Sequence, residues 1–140
     1  MIKTDKKAQG TLKEMRDRER TEKENKLKAQ CEALAIERHG EKAIKQWSNE
    51  HKGLWYLPVM DDAEEKIEKM IIMRPINRSI LSYASTKIED EGLYTFLEQC
   101  MRECYVAGDM EIIDEDEYFI SAAMKFNKIM DGKKAALLKR

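Results

Sequence analysis

Residues 11–47 contain no proline and only one glycine, Gly40, and consist mostly of Lys, Glu, Arg, Ala and Gln. These are good helix formers, so the stretch predicts a long helix. Its apolar positions are sparse: nothing apolar lies between Met15 and Leu27. A helix that is polar all round has no face to bury and persists only through charge pairs or a partner. Glu14 with Arg18 and Glu19 with Lys23 have the favourable acid-first spacing, which contributes a few tenths of a kcal/mol per pair. From Leu27 onward the pattern changes, because Leu27, Cys31, Leu34 and Ala35 form a stripe. The sequence therefore predicts a charged helical arm over residues 1–50 whose second half docks and whose first half projects or frays. Gly40 is expected to end the long helix, with a short helix 41–49 after it.

Residues 51–140 read as a compact unit of a hairpin plus helices. Gly53-Leu-Trp-Tyr-Leu-Pro-Val-Met60 has strand composition, and Pro58 demotes it to an edge because proline cannot donate to a ladder. After the polar turn Asp61-Asp-Ala-Glu-Glu65, a second apolar run, Ile67–Met73, closes at Arg74-Pro75. A β-hairpin is the economical reading, and a helix through 62–73 is its competitor. Asn77 is the expected N-cap of a short helix carrying Ile80, Leu81 and Ala84. A helix near 91–106 follows, with Leu93, Phe96, Leu97, Cys100, Met101, Cys104 and Tyr105 at spacings of mostly three and four, and with Gly108 as its stop. Asp114 and Glu117 resemble a capping box opening a helix near 115–131. Its stripe runs through Tyr118, Phe119, Ala122, Ala123, Phe126, Ile129 and Met130. Ala135–Leu138 is expected to add a last short turn. The predicted class is α+β, mostly helical: an arm, one hairpin and a C-terminal half of three helices.

Charge narrows the classes further. The chain has 140 residues, a size for one compact domain with an arm, and 26 basic against 27 acidic residues leave a net charge of −1. The layout is polarised: residues 89–117 hold 11 acids against Arg102 alone, whereas 125–140 hold six basic residues against Asp131. Such a pattern can self-associate or meet a partner of matching pattern. Residues 3–28 carry ten basic and six acidic side chains, which dilutes any field toward phosphate, so nucleic acid is not an expected partner. No run nears the roughly 18 apolar residues of a membrane span, and the first ten residues lack the apolar core of a secretory signal. With three cysteines, Cys31, Cys100 and Cys104, an odd number for a disulfide framework, these features predict a cytoplasmic protein.

The residues offer little to chemistry. His39 and His51 are the only histidines, sit in polar surroundings and lack a recognisable metal spacing; surface positions are expected for both. The acidic run 109–117 has Ile112 and Ile113 where a calcium loop needs oxygens. Cys100 and Cys104, four apart, are expected as buried small hydrophobes. No phosphate-cradling glycine loop or catalytic triad pattern is present, so neither enzyme activity, metal nor cofactor is expected. Nine methionines, many of them in predicted core elements, fit either core filling or an adaptable apolar surface. Trp47 and Trp55 fit either core anchors or binding hot spots. The candidate partner-binding residues are Trp55, Met101, Tyr105, Phe119 and Phe126, each also fitting the core.

Trp55-Tyr-Leu, Ile72-Met-Arg-Pro75, Gly108-Asp109, Ile112-Ile-Asp-Glu-Asp-Glu117 and Lys133-Lys134 together resemble a group of small phage tail assembly chaperones and related proteins. In these, a strand ends in a Lys/Arg-Pro step, and a helix then closes in an apolar-glycine turn. Acids and a final helix with a basic end follow. The resemblance spans about residues 53–140 and leaves the charged arm outside. It implies a non-enzymatic phage or prophage protein that binds an apolar tape-measure or tail-tube protein before assembly. The alternative is a structural virion component held in a homo-oligomer through the arm.

Overall fold

The computed structural model describes residues 2–63, 66–86, 91–131 and 137–140. Helix α1 runs from Ile2 to His39 without a break, 38 residues, or roughly 57 Å at the usual helical rise. It stops where the sequence predicts: Gly40 takes a φ of 86°, open to glycine and strained for other residues, while its N–H still donates to the Ile36 carbonyl at 2.8 Å. Helix α2, Glu41–His51, follows at once.

Strands β1 (Trp55–Met60) and β2 (Ile67–Met73) form the expected antiparallel hairpin, with Trp55 opposite Met73 and Leu57 opposite Ile71. The helical alternative for 62–73 therefore loses. The Asp61 N–H donates to the Lys66 carbonyl at 2.9 Å and closes the turn. Pro58 sits on β1, an edge strand, where its missing N–H breaks no inner ladder. Beyond the hairpin, α3 spans Arg78–Ser85 and α4 spans Leu93–Cys104. Asn77 caps α3 as expected, its Oδ1 accepting from the Ile80 N–H at 3.0 Å.

The C-terminal half departs from the sequence reading in two places. The helix placed over 91–106 ends at Cys104, and Tyr105–Gly108 form a third strand, β3, antiparallel to β2. The sheet thus has the order β1-β2-β3, with β2 in the centre, rather than a lone hairpin. Asp114 is not a helix cap. It closes a one-turn helix α5, Glu111–Asp114, and its carboxylate accepts from Arg102 at 2.7 Å, while α6 runs over Asp116–Asn127 without a side-chain cap. A 3₁₀ turn, Lys128–Asp131, follows. Of the expected final turn at 135–138, Ala135 and Ala136 lie outside the described residues, and Leu137 and Leu138 are in neither helix nor turn.

Burial shows why β2 is apolar along its whole second half. Met70, Ile71, Ile72 and Met73 are all buried, because helices cover both faces of the sheet. Ile71 and Met73 join the larger cluster with α3, α4, α5 and α6, through residues such as Phe96, Leu97, Met101, Ile112 and Phe126. Met70 and Ile72 point the other way, onto Cys31, Ala35 and Ile44 of α1 and α2. The result is a three-layer helix–sheet–helix body. The compact part does not begin at residue 51, because α1 from Leu27 onward and α2 form one of its layers. Residues 11–26 of α1 are exposed throughout, as expected of a stretch with no stripe to bury.

Candidate partner-binding surface

The five side chains singled out from the sequence fall into three environments. Met101, Phe119 and Phe126 are buried in the larger cluster, so they hold the body together and are not presented to a partner. That corrects their place among the contact residues: the three- and four-residue spacing that draws attention to them is the spacing of a core face. Tyr105 is half-buried, and its hydroxyl donates to the Gly108 carbonyl at 2.8 Å, closing the ends of β3 on each other. Trp55 alone is well exposed, at 50%. It shares the β1 face of Leu57 and Val59, both of which pack against the α3–α6 layer. Trp47, by contrast, packs into the smaller cluster between α1, α2 and the sheet.

A different set of apolar side chains is left open. Tyr94 at the start of α4 is 49% exposed, and on α6 Ile120 and Met124 are 52% and 60% exposed. The Tyr94 ring meets the Phe119 ring edge-on, with centroids 6.3 Å apart, so the first turn of α4 lies beside α6. Ile120 and Met124 are four apart and share one outward face of α6. Exposed acids flank this apolar strip: Glu91 precedes α4, and Asp116 and Glu117 open α6. A charged rim around an open apolar centre is the usual layout of a protein contact. The signal in the sequence was a second apolar line on α6, Ile120 and Met124, running outside the stripe that builds the core.

Other polar groups are occupied with holding the fold. Asp109, just after β3, accepts from the Met70 N–H at 3.0 Å and from Arg38 at 2.9 Å through the same carboxylate oxygen. Burial pushes this carboxyl up, but the Met70 N–H and the Arg38 guanidinium outweigh it and hold it below the ordinary range. The Tyr56 hydroxyl bonds to Glu32, adding a second tie between α1 and the sheet. Burial and that carboxylate both raise its pKa. In the depression between α3 and the end of α4, Asn77 is committed to its cap and the Arg74 Nε to the Glu103 carbonyl.

The cysteines and histidines are placed by packing. Cys31, Cys100 and Cys104 are buried free thiols, and burial raises each to a pKa of about 11. They stay protonated at neutral pH, the form that neither attacks nor ligates. The histidines are half-buried rather than on the surface, and the His39 ring stands edge-on to Trp47 with centroids 5.3 Å apart. Among the described residues, no group of three or more His, Cys, Asp or Glu side chains is arranged to hold a metal ion, and no helix is long and apolar enough to cross a membrane. Comparison with protein-family models, with curated proteins and with solved structures found no match.

Proposed function

We propose that this protein is a non-enzymatic assembly chaperone or adaptor that holds an apolar helical segment of a phage tail structural protein against the outer face of α4 and α6. The observation that carries this reading is the exposure of Tyr94, Ile120 and Met124 beside the buried cluster that α4 and α6 build with the sheet. An apolar helix presents side chains at three- and four-residue spacing, which an open face carrying Ile120 and Met124 four apart, with Tyr94 against the neighbouring Phe119 ring, can receive. Methionine at the centre adapts to clients of differing shape, and the acids at the rim favour a segment with basic flanks. The phage setting rests on the resemblance carried by the strand ending in Met73-Arg-Pro75 and by the acidic run after Gly108-Asp109. A cytoplasmic place of action goes with it.

The test is co-expression with a tape-measure or tail-tube protein. The client is expected to be soluble and to co-purify only when this chain is present. The double substitution Ile120→Lys and Met124→Lys should abolish that effect while circular dichroism shows the chain still folded. A client that is equally soluble without this chain, or equally held by the double variant, contradicts the reading.

A further inference from the structure

We infer that the exposed arm of α1 docks on the α4–α6 strip of a second copy of this chain. Among residues 11–26 of the arm, Leu12 and Met15 are the apolar side chains; they are 58% and 49% exposed and lie three apart, on one side of the helix. The arm has a use for an apolar site that its own body does not provide. It leaves the body from the α1–α2 layer, whereas the strip lies in the α3–α6 layer on the opposite side of the sheet. Because α1 is unbroken from Ile2 to His39, the arm has no hinge at which to fold back across the sheet. The strip that receives it therefore belongs to another molecule.

Charge selects the same pairing. Residues 3–28 carry ten basic against six acidic side chains, while residues 89–117, which include the start of α4 and of α6, carry 11 acids and one Arg. Lys13 and Arg16, with Glu14 and Asp17 interleaved, flank the apolar pair on the arm; Glu91, Asp116 and Glu117 flank the strip. Two strips brought together would set acidic rims against each other, and two arms, with bases and acids interleaved, offer no such contrast of sign. Arm against strip is the combination in which both the apolar centres and the rims match. Reciprocal exchange of arms closes a two-fold dimer. The inference rests on the strip named under the proposed function, but not on its client: the arm of a second copy is a ligand the protein carries itself. A client that competes for the strip would then release the arm.

The experiment is sedimentation equilibrium on the full chain and on two double variants. One is Leu12→Glu with Met15→Glu, which disables the arm and leaves the strip; the other is Ile120→Lys with Met124→Lys, which does the converse. All four positions are exposed, and circular dichroism confirms that the variants fold. The full chain is expected at twice the mass of one chain, with association weakening as salt rises. Each variant alone should lose about tenfold or more in association, the scale set by removing two apolar side chains from an interface. An equimolar mixture of the two variants should recover the dimer, because one supplies an intact arm and the other an intact strip. A full chain that sediments as a monomer overturns the inference, as does an arm variant that still dimerises, or a mixture that stays monomeric. Client binding by a monomeric full chain would leave the functional reading standing without this one; a dimer that holds no client would do the reverse.

Discussion

The Arg38 guanidinium donates to the Asp109 carboxylate across 2.9 Å, tying the end of α1 to the turn after β3, 71 residues further along the chain. The same carboxylate oxygen accepts from the Met70 N–H, and the Asp109 N–H donates to the Met70 carbonyl at 2.9 Å. Asp109 therefore extends the β2–β3 ladder by one residue, and Arg38 attaches the helical layer to it. A carboxylate held by two donors at a partly buried position is worth more than an exposed ion pair.

Asp109→Asn should destabilise the fold by about 1–3 kcal/mol at neutral pH, the scale of charge-assisted hydrogen bonds. Its folded carboxyl lies below the ordinary range, so this contribution is present above about pH 4 and is lost as pH falls through the lower folded value. Urea unfolding from pH 7 to pH 3 checks the sign: the gap between the natural chain and the variant should narrow toward acid. A constant gap would mean that the charge is not what holds the turn.

Gly108 is predicted to tolerate no side chain. Its φ is +120°, and a Cβ there would lie 2.4 Å from the Met70 carbonyl oxygen and 2.9 Å from the Ile71 Cα. Those atoms are central-strand backbone and cannot move aside cheaply. Gly108→Ala should cost about 1–3 kcal/mol for the dihedral alone, and more for the clash. Gly40→Ala, with nothing within 4 Å of its Cβ, should cost only the dihedral strain. Thermal melts of the two variants should therefore separate clearly, with Gly108→Ala the lower.

The thiols should be silent in the folded protein. Cys31, Cys100 and Cys104 are all buried with pKa values pushed up to about 11, so a thiol reagent at neutral pH should label none of them until the chain unfolds. Their labelling rates should follow the opening of the core, and Cys31, which α1 contributes to the smaller cluster, reports on that layer separately. Fast labelling of Cys100 and Cys104 in native buffer would show that the α4 layer is looser than the packing implies.

Removing residues 1–26 should leave the body cooperatively folded, its melting temperature falling by no more than the dimer contact contributes, because side chains 11–26 bury nothing within their own chain. Removing residues 1–39 takes away Cys31 and Ala35, uncovers Met70 and Ile72, and should bring aggregation or loss of cooperative unfolding. The contrast is measurable by calorimetry on the two truncations.

Much of this architecture is visible in the residues, and what is not visible has a common cause. Pro58 at an edge, the Asn77 cap and the stop at Gly40 are decided within a few residues of chain, and each reads correctly from the sequence. Strand β3 does not, because Tyr105 continues the spacing of Cys100, Met101 and Cys104, and only pairing with Ile72 and Met73 of β2 ends the helix. Asp114 fits a cap pattern locally, yet the Arg102 side chain one helix away takes its carboxylate. The open apolar strip is obscured for the opposite reason. Regular spacing marks Met101, Phe119 and Phe126 as apolar faces, and the most regular face is the one that is buried. Ile120 and Met124 stand off that face, so they add nothing to its periodic signal although both lie exposed.

The central claim is that the Tyr94–Ile120–Met124 strip is where a partner helix lies, and site-specific photo-crosslinking tests it most directly. A photoreactive residue is placed in turn at Tyr94, at Met124 and at Ile36, an exposed position of α1 in the layer on the other side of the sheet. The chain is then co-expressed with a tail structural protein, and the crosslinked peptides are identified by mass spectrometry. Helical client peptides joined to positions 94 and 124, and none joined to 36, are the predicted result. Client peptides captured at 36 and absent from 94 and 124 would contradict it.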